Sequence, residues 1–126
     1  MSTITHHRMP GTEAMPLSSA VQVDNMLYLS GCLGTAPGNP AVVDGGIQPE
    51  TRQTMENMKA VLEAYGSSMD QVVKCTVFLA DMAEWAAMNE VYLEYFATPP
   101  ARSAVAVAGM ARDARVEIEC IAVVGD

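Results

Sequence analysis

Histidine, basic charge and paired cysteines are what this sequence has least of. Its two histidines, His6 and His7, both lie in a polar N-terminal stretch. A histidine-based zinc site or a Ser-His-Asp triad within one chain therefore has almost nothing to draw on. A solvated tail is the simpler reading of the His-His pair. Seven Lys and Arg against fifteen Asp and Glu give a net charge of -8 and a pI near 4.5. That balance argues against a broad nucleic-acid surface, whose affinity rests on cations neutralising phosphates. Three cysteines, Cys32, Cys75 and Cys120, are an odd number with no Cys-x-x-Cys spacing. They fit a reducing compartment, and in apolar runs they behave as small hydrophobes rather than metal or redox groups. No run approaches the ~20 apolar residues of a membrane span. Residues 1–15 also lack the apolar core of a signal peptide, so a cytoplasmic protein is expected.

What the chain does have is core-forming material. Half of its 126 residues are hydrophobic and 17% are charged, which excludes disorder as the main state. A chain of this length forms one domain and buries roughly two-thirds of its unfolded surface. The expected division is a loose leader over 1–15 and a single domain over 16–126. Apolar runs at 20–23 and 26–30 meet at Asp24-Asn25, a hairpin signature. Residues 31–46, rich in Gly and Pro, read as an irregular loop. Pro49 and Glu50 suit a first helical turn, and Met55, Met58, Val61, Leu62 and Tyr65 recur at helical spacing up to a Gly66 cap.

Residues 72–79 read as a strand. Asp81 and Glu84 begin a second helix, with Trp85, Met88, Tyr92, Tyr95 and Phe96 on one face and Pro99-Pro100 as its stop. Strands at about 102–108 and 115–124 close the order β-β-α-β-α-β-β. The expected fold class is α+β, one sheet with both helices on one face. In the last strand Val116, Ile118, Cys120, Ala122 and Val124 point under the helices, while Glu117, Glu119, Ile121 and Val123 point away. That second face carries apolar residues with no helix left to cover them, which suggests a partner subunit.

Three features could carry chemistry. Arg102 follows a Pro-Ala stop and opens an apolar strand, sharing its face with Ala104, Ala106 and Ala108. Its planar fork suits a carboxylate or phosphate; a strand-end Arg paired with a local acid is the plain alternative. Glu117 sits mid-strand, where a carboxylate is disfavoured unless it has a partner or a task. Ser30-Gly31 ends a strand with a hydroxyl and an unshielded N–H, although most such pairs merely turn the chain. Together they describe a site able to hold a small carboxylate and activate a water.

The segments Pro100-Ala101-Arg102-Ser103, Val105-Ala106-Val107 and Val116-Glu117-Ile118-Glu119 resemble the C-terminal signature of the RidA/YjgF family of reactive-intermediate deaminases. Pro16-Leu17-Ser18-Ser19-Ala20-Val21 and Asn25-Met26-Leu27-Tyr28-Leu29-Ser30-Gly31 resemble its opening. Thr51-Arg52-Gln53-Thr54 with Glu56-Asn57, Val73-Lys74 with Thr76-Val77-Phe78, and Asn89 with Tyr92 and Phe96 continue the match in order. The resemblance spans about 16–124. It implies a chorismate-mutase-like α+β fold and a homotrimer with clefts between subunits. It also implies hydrolysis of enamines and imines such as 2-aminoacrylate to 2-keto acids and ammonia, with no cofactor or metal. By position Arg102 would grip the substrate carboxylate and Glu117 would hold the water. Ser30 and Gly31 would line the cleft from the neighbouring chain, with Asn89 near it. Leu17 stands where the family usually has Tyr, and Ala104 where many members have Cys. Both departures bear on substrate choice and rate. Two other readings stand beside this one: a non-catalytic binder of small 2-keto acids using the same arginine, and a pathway-specific deaminase for a larger unsaturated amino acid, with room made by Leu17 and Ala104. A ribonuclease, an old label in this family, is disfavoured by the acidic charge and the lack of a histidine acid or base.

Overall fold

A computed structural model describes residues 2–125; Met1 of the leader and Asp126 of the domain lie outside the described residues. Seven strands form one sheet: β1 (Ile4–His7), β2 (Ala20–Val23), β3 (Met26–Leu29), β4 (Cys32–Leu33), β5 (Val72–Leu79), β6 (Ala101–Ala106) and β7 (Val116–Val123). Their order is β1-β2-β3-β7-β5-β6, with β4 also paired to β7. Among the described residues only β5 and β6 pair in parallel, and they are joined through α2 (Trp85–Tyr92). The longer helix α1 (Ile47–Ala64) packs against α2, β7 and β4.

The elements follow from their side chains. α1 buries Met55, Met58 and Leu62 completely, each worth about 1.5–3 kcal/mol of apolar transfer. Gly66 then takes a φ of 85°, a left-handed geometry that ends a helix at little cost when no Cβ is present. The Asp24-Asn25 hairpin forms as expected, with Asp24 at φ 52°. Asp81 accepts a hydrogen bond from Ala83 N, but it opens a short 3-10 turn, Met82–Glu84, before α2 proper. Alternation in β7 divides the sheet as its sequence implies. Val116, Ile118, Cys120 and Ala122 are buried under the helices, while Glu117 and Glu119 face away.

Three expectations change. The leader is not loose throughout: Ile4–His7 pairs antiparallel with β2. His7 sits opposite buried Ala20, and its ring stacks on Tyr65 with centroids 4.2 Å apart. A four-residue edge strand has too few apolar residues to announce itself in sequence. Within 31–46, Cys32–Leu33 rejoins β7 as a short strand. Trp85, expected on the buried face of its helix, is 43% exposed.

Candidate active site

Glu117 lies on the helix-free face of the sheet, opposite Phe78 on β5 and Leu33 on β4. Its carboxylate accepts no side-chain or loop hydrogen bond from the described residues. Burial raises its pKa above the usual glutamate value, and nearby Glu119 adds to the shift. The space it occupies is made by Gly31. A Cβ added there would lie 1.9 Å from Glu117 Oε2. Gly31 occupies a bulge: Tyr28 pairs with Ile121 and Cys32 with Ile118, four steps on one strand against three on the other. The extra residue breaks the ladder at Ser30–Gly31 and bends the strand next to Glu117. Ser30 Oγ donates to Ser18 O at 2.6 Å, so this hydroxyl ties down the segment carrying Leu17, which is 42% exposed.

Arg102 lies on the other face. It pairs in register with Cys75, which itself pairs with Cys120, and both cysteines are buried beneath the helices. Its Nη1 donates to Asn89 Oδ1 at 2.7 Å. Its guanidinium carbon stands 4.8 Å from the Tyr92 ring centre and 5.7 Å from that of Trp85. Stacking of this kind holds the planar cation in one orientation. Asn89, Tyr92, Leu93, Pro99, Pro100 and Arg102 line a cleft of about 230 Å³. The ion pairs among the described residues are Arg52–Glu94 and Arg115–Glu84. No carboxylate of the described residues therefore pairs with Arg102, and the plain alternative of a local acid partner is not met. Ala104 follows Arg102 on the same face and packs against the core.

A single chain thus separates the candidate residues into two groups. Ser30, Gly31 and Glu117, with Leu17 on the segment tied to Ser30, form one; Arg102, Asn89 and Ala104 form the other, across the sheet. Two further contributors, Trp85 and Tyr92, are read in sequence as positions on a helix face, Tyr92 also as part of the family match. Their spacing from Asn89, four residues before and three after, places all three on one helical face, and that was the available signal. Tyr92 is buried, its hydroxyl has no hydrogen-bond partner among the described residues, and burial, with the Cys75 thiol nearby, pushes its pKa up. Cys32, Cys75 and Cys120 are free thiols. Burial pushes Cys32 up to about 12 and raises the other two as well, so all three behave as the small hydrophobes expected. No group of three metal-ligating side chains occurs among the described residues.

Comparison with known proteins agrees with the motif order. The family model described as Endoribonuclease L-PSP matches residues 8–124. The chain belongs to the RidA/YjgF family. Among curated relatives, the mouse 2-iminobutanoate/2-iminopropanoate deaminase is 46% identical over 111 residues, covering 87% of this chain and 82% of the mouse protein. A RutC family protein of Pyrococcus horikoshii is also 46% identical, over 85% of this chain and 86% of its own. The crystal structure of the Escherichia coli YjgF gene product superposes with a TM-score of 0.82 at 36% identity, over 89% of this chain and 91% of that one. This RidA/YjgF chain thus shares the greater part of its fold with the Escherichia coli protein.

Proposed function

We propose that this protein hydrolyses small 2-imino acids and their enamine tautomers to 2-keto acids and ammonia. The observation that carries the reading is Arg102. It is a guanidinium fixed by Asn89 and two aromatic rings at the mouth of a cleft, with no carboxylate of the described residues as partner. A substrate carboxylate supplies that partner, and the two-pronged pair orients the adjacent imine carbon. Relatives at 41–46% identity that are named as 2-iminobutanoate/2-iminopropanoate deaminases support the same chemistry.

Arg102 and Glu117 face opposite sides of one sheet, so the complete site on this reading joins two chains. A cyclic homotrimer brings the Ser30–Gly31–Glu117 group of one copy to the Arg102 cleft of the next. Glu117 takes a proton from water as the water oxygen adds to the protonated imine carbon. That proton passes to nitrogen, the C–N bond breaks, and ammonia leaves as the carbonyl forms and Glu117 takes up the hydroxyl proton. One water is consumed and no electrons are exchanged. The imine is electrophilic already, so orientation and one base suffice. Leu17 and Ala104 make the pocket more apolar than a phenol and a thiol would, and they bear on substrate preference.

The test is turnover of 2-iminopropanoate generated in situ by an amino-acid oxidase. Arg102→Ala should stay folded and lose at least about tenfold in kcat/KM, since a charge-assisted bidentate pair contributes ~1.5–3 kcal/mol. Arg102→Lys should recover little, because an ammonium lacks the fork. Glu117→Gln should keep 2-keto-acid binding and lose turnover. A folded Arg102→Ala with the native rate removes this function. Binding of a 2-keto acid without turnover by the wild type would favour the non-catalytic binder instead.

A further inference from the structure

Glu50 stands in the first turn of α1, where the sequence alone offers it only a role in the helix dipole. Its side chain is instead 2% exposed, and it reaches the start of β7. Glu50 Oε2 accepts hydrogen bonds from Arg115 N at 2.6 Å and Val116 N at 3.2 Å. The next residue is Glu117. Glu50 also packs close to the residue that follows β4, the strand paired with β7 at Glu117. At Gly34, directly after β4, an added Cβ would fall 2.6 Å from Glu50 O and 2.7 Å from Glu50 Cγ. Leu33, the neighbour of Gly34, is the register partner of Glu117. Glu50 therefore meets both strands: its carboxylate holds the start of β7, while its Cγ and backbone carbonyl pack against the residue after β4, the strand that pairs with β7 at Glu117.

We propose that Glu50 is a positioning residue for Glu117, fixing the backbone on both sides of it so that its carboxylate stands over Gly31. This rests on the deaminase reading for its kinetic consequence but not for its geometry. Burying a carboxylate is unfavourable unless its lone pairs are used. Here burial raises the Glu50 pKa while the two N–H bonds from Arg115 and Val116 oppose the rise. The groups facing it are the Arg115 side chain, which pairs with Glu84 at 3.1 Å, and Glu84 itself. No described contact joins Glu50 to Arg102, Asn89 or the cleft they line. The substrate clamp and the water-holding acid are thus supported from different places.

The experiment compares Glu50→Gln, Glu50→Ala and Glu50→Asp in the full-length protein. The Gln carbonyl oxygen can accept both N–H groups, so Glu50→Gln should keep kcat within about threefold. Glu50→Ala should lose at least about tenfold in kcat on the imine, with the Kd for pyruvate unchanged within about twofold. Should Glu50→Ala not fold, Glu50→Asp, one methylene shorter, should show the same split. In parallel, the Glu117 carboxyl is titrated by carbon NMR. Its midpoint should fall towards that of an ordinary glutamate in Glu50→Ala or Glu50→Asp, as water reaches a loosened side chain, and hold in Glu50→Gln. A folded Ala or Asp variant with native kcat and an unmoved midpoint overturns the proposal, as does a Gln variant as impaired as Ala. If the wild type turns over no imine, the deaminase reading fails and the NMR arm alone decides the role of Glu50.

Discussion

At Gly31 the absence of a side chain matters more than backbone freedom. Its φ is not in the left-handed region, so alanine is conformationally acceptable there. What a methyl group meets is the end of the Glu117 carboxylate, 1.9 Å from Oε2 and 2.8 Å from Cδ. That end can swing aside without disturbing the core. Gly31→Ala should therefore leave the thermal midpoint nearly unchanged and lower kcat at least about tenfold. Added to Glu117→Gln it should cost little more, because residues acting as one unit are not additive. A full additional tenfold loss in the double variant would separate Gly31 from the acid. On the proposed mechanism Glu117 also sets a pH limb. A base must be ionised, and burial with Glu119 nearby raises the pH at which Glu117 ionises. Activity should fall as pH drops through that raised value, above the ~4.3 of a free glutamate. A Glu117→Gln enzyme should lack this limb in its residual rate.

Single elements show why part of the fold could be read from the sequence and part could not. The stripe Met55, Met58 and Leu62 and the alternation of β7 are long, periodic signals, and both elements form across their patterns. β1 and β4 have no such period. Two residues cannot alternate, and Ile4–His7 is exposed along most of its length. Register with neighbours places these strands, and a linear pattern does not contain it. Arg102 and Glu117 were legible as unusual residues in strands, but the pairing through Cys75 and Cys120 that puts them on opposite faces is long-range. β1 is held chiefly by its pairing with β2, by the His7–Tyr65 stack and by the 3.0 Å bond between His7 Nε2 and Gln22. An aromatic pair contributes ~0.5–1.5 kcal/mol. His7→Ala should then lower the thermal midpoint by roughly 5 °C and speed hydrogen exchange at the β1–β2 amides, while imine turnover stays within about twofold. Unchanged exchange at β2 would show that backbone pairing alone holds the strand.

For the whole molecule, the sheet separates the two halves of the proposed site. One face carries Arg102 under α2 and the other carries Glu117 with an uncovered apolar surface that includes Tyr28, 44% exposed, and Val105, also 44% exposed. Three chains of 13.4 kDa closing into a ring of about 40 kDa would bury that surface and join the halves. Light scattering should report that mass at micromolar concentration. Mass alone leaves the site's composition open, and complementation decides it. A chain with Arg102→Ala keeps its Glu117, and one with Glu117→Gln keeps its Arg102. Each homo-oligomer is inactive on the proposed reading. When the two are co-expressed in equal amounts, random assembly puts an intact Arg102 against an intact Glu117 at about a quarter of the interfaces. The mixed protein should recover about a quarter of the wild-type rate, although no chain in it is wild type. If both residues served from the same chain, every site would still lack one of them, and the mixture would be as inactive as its parents.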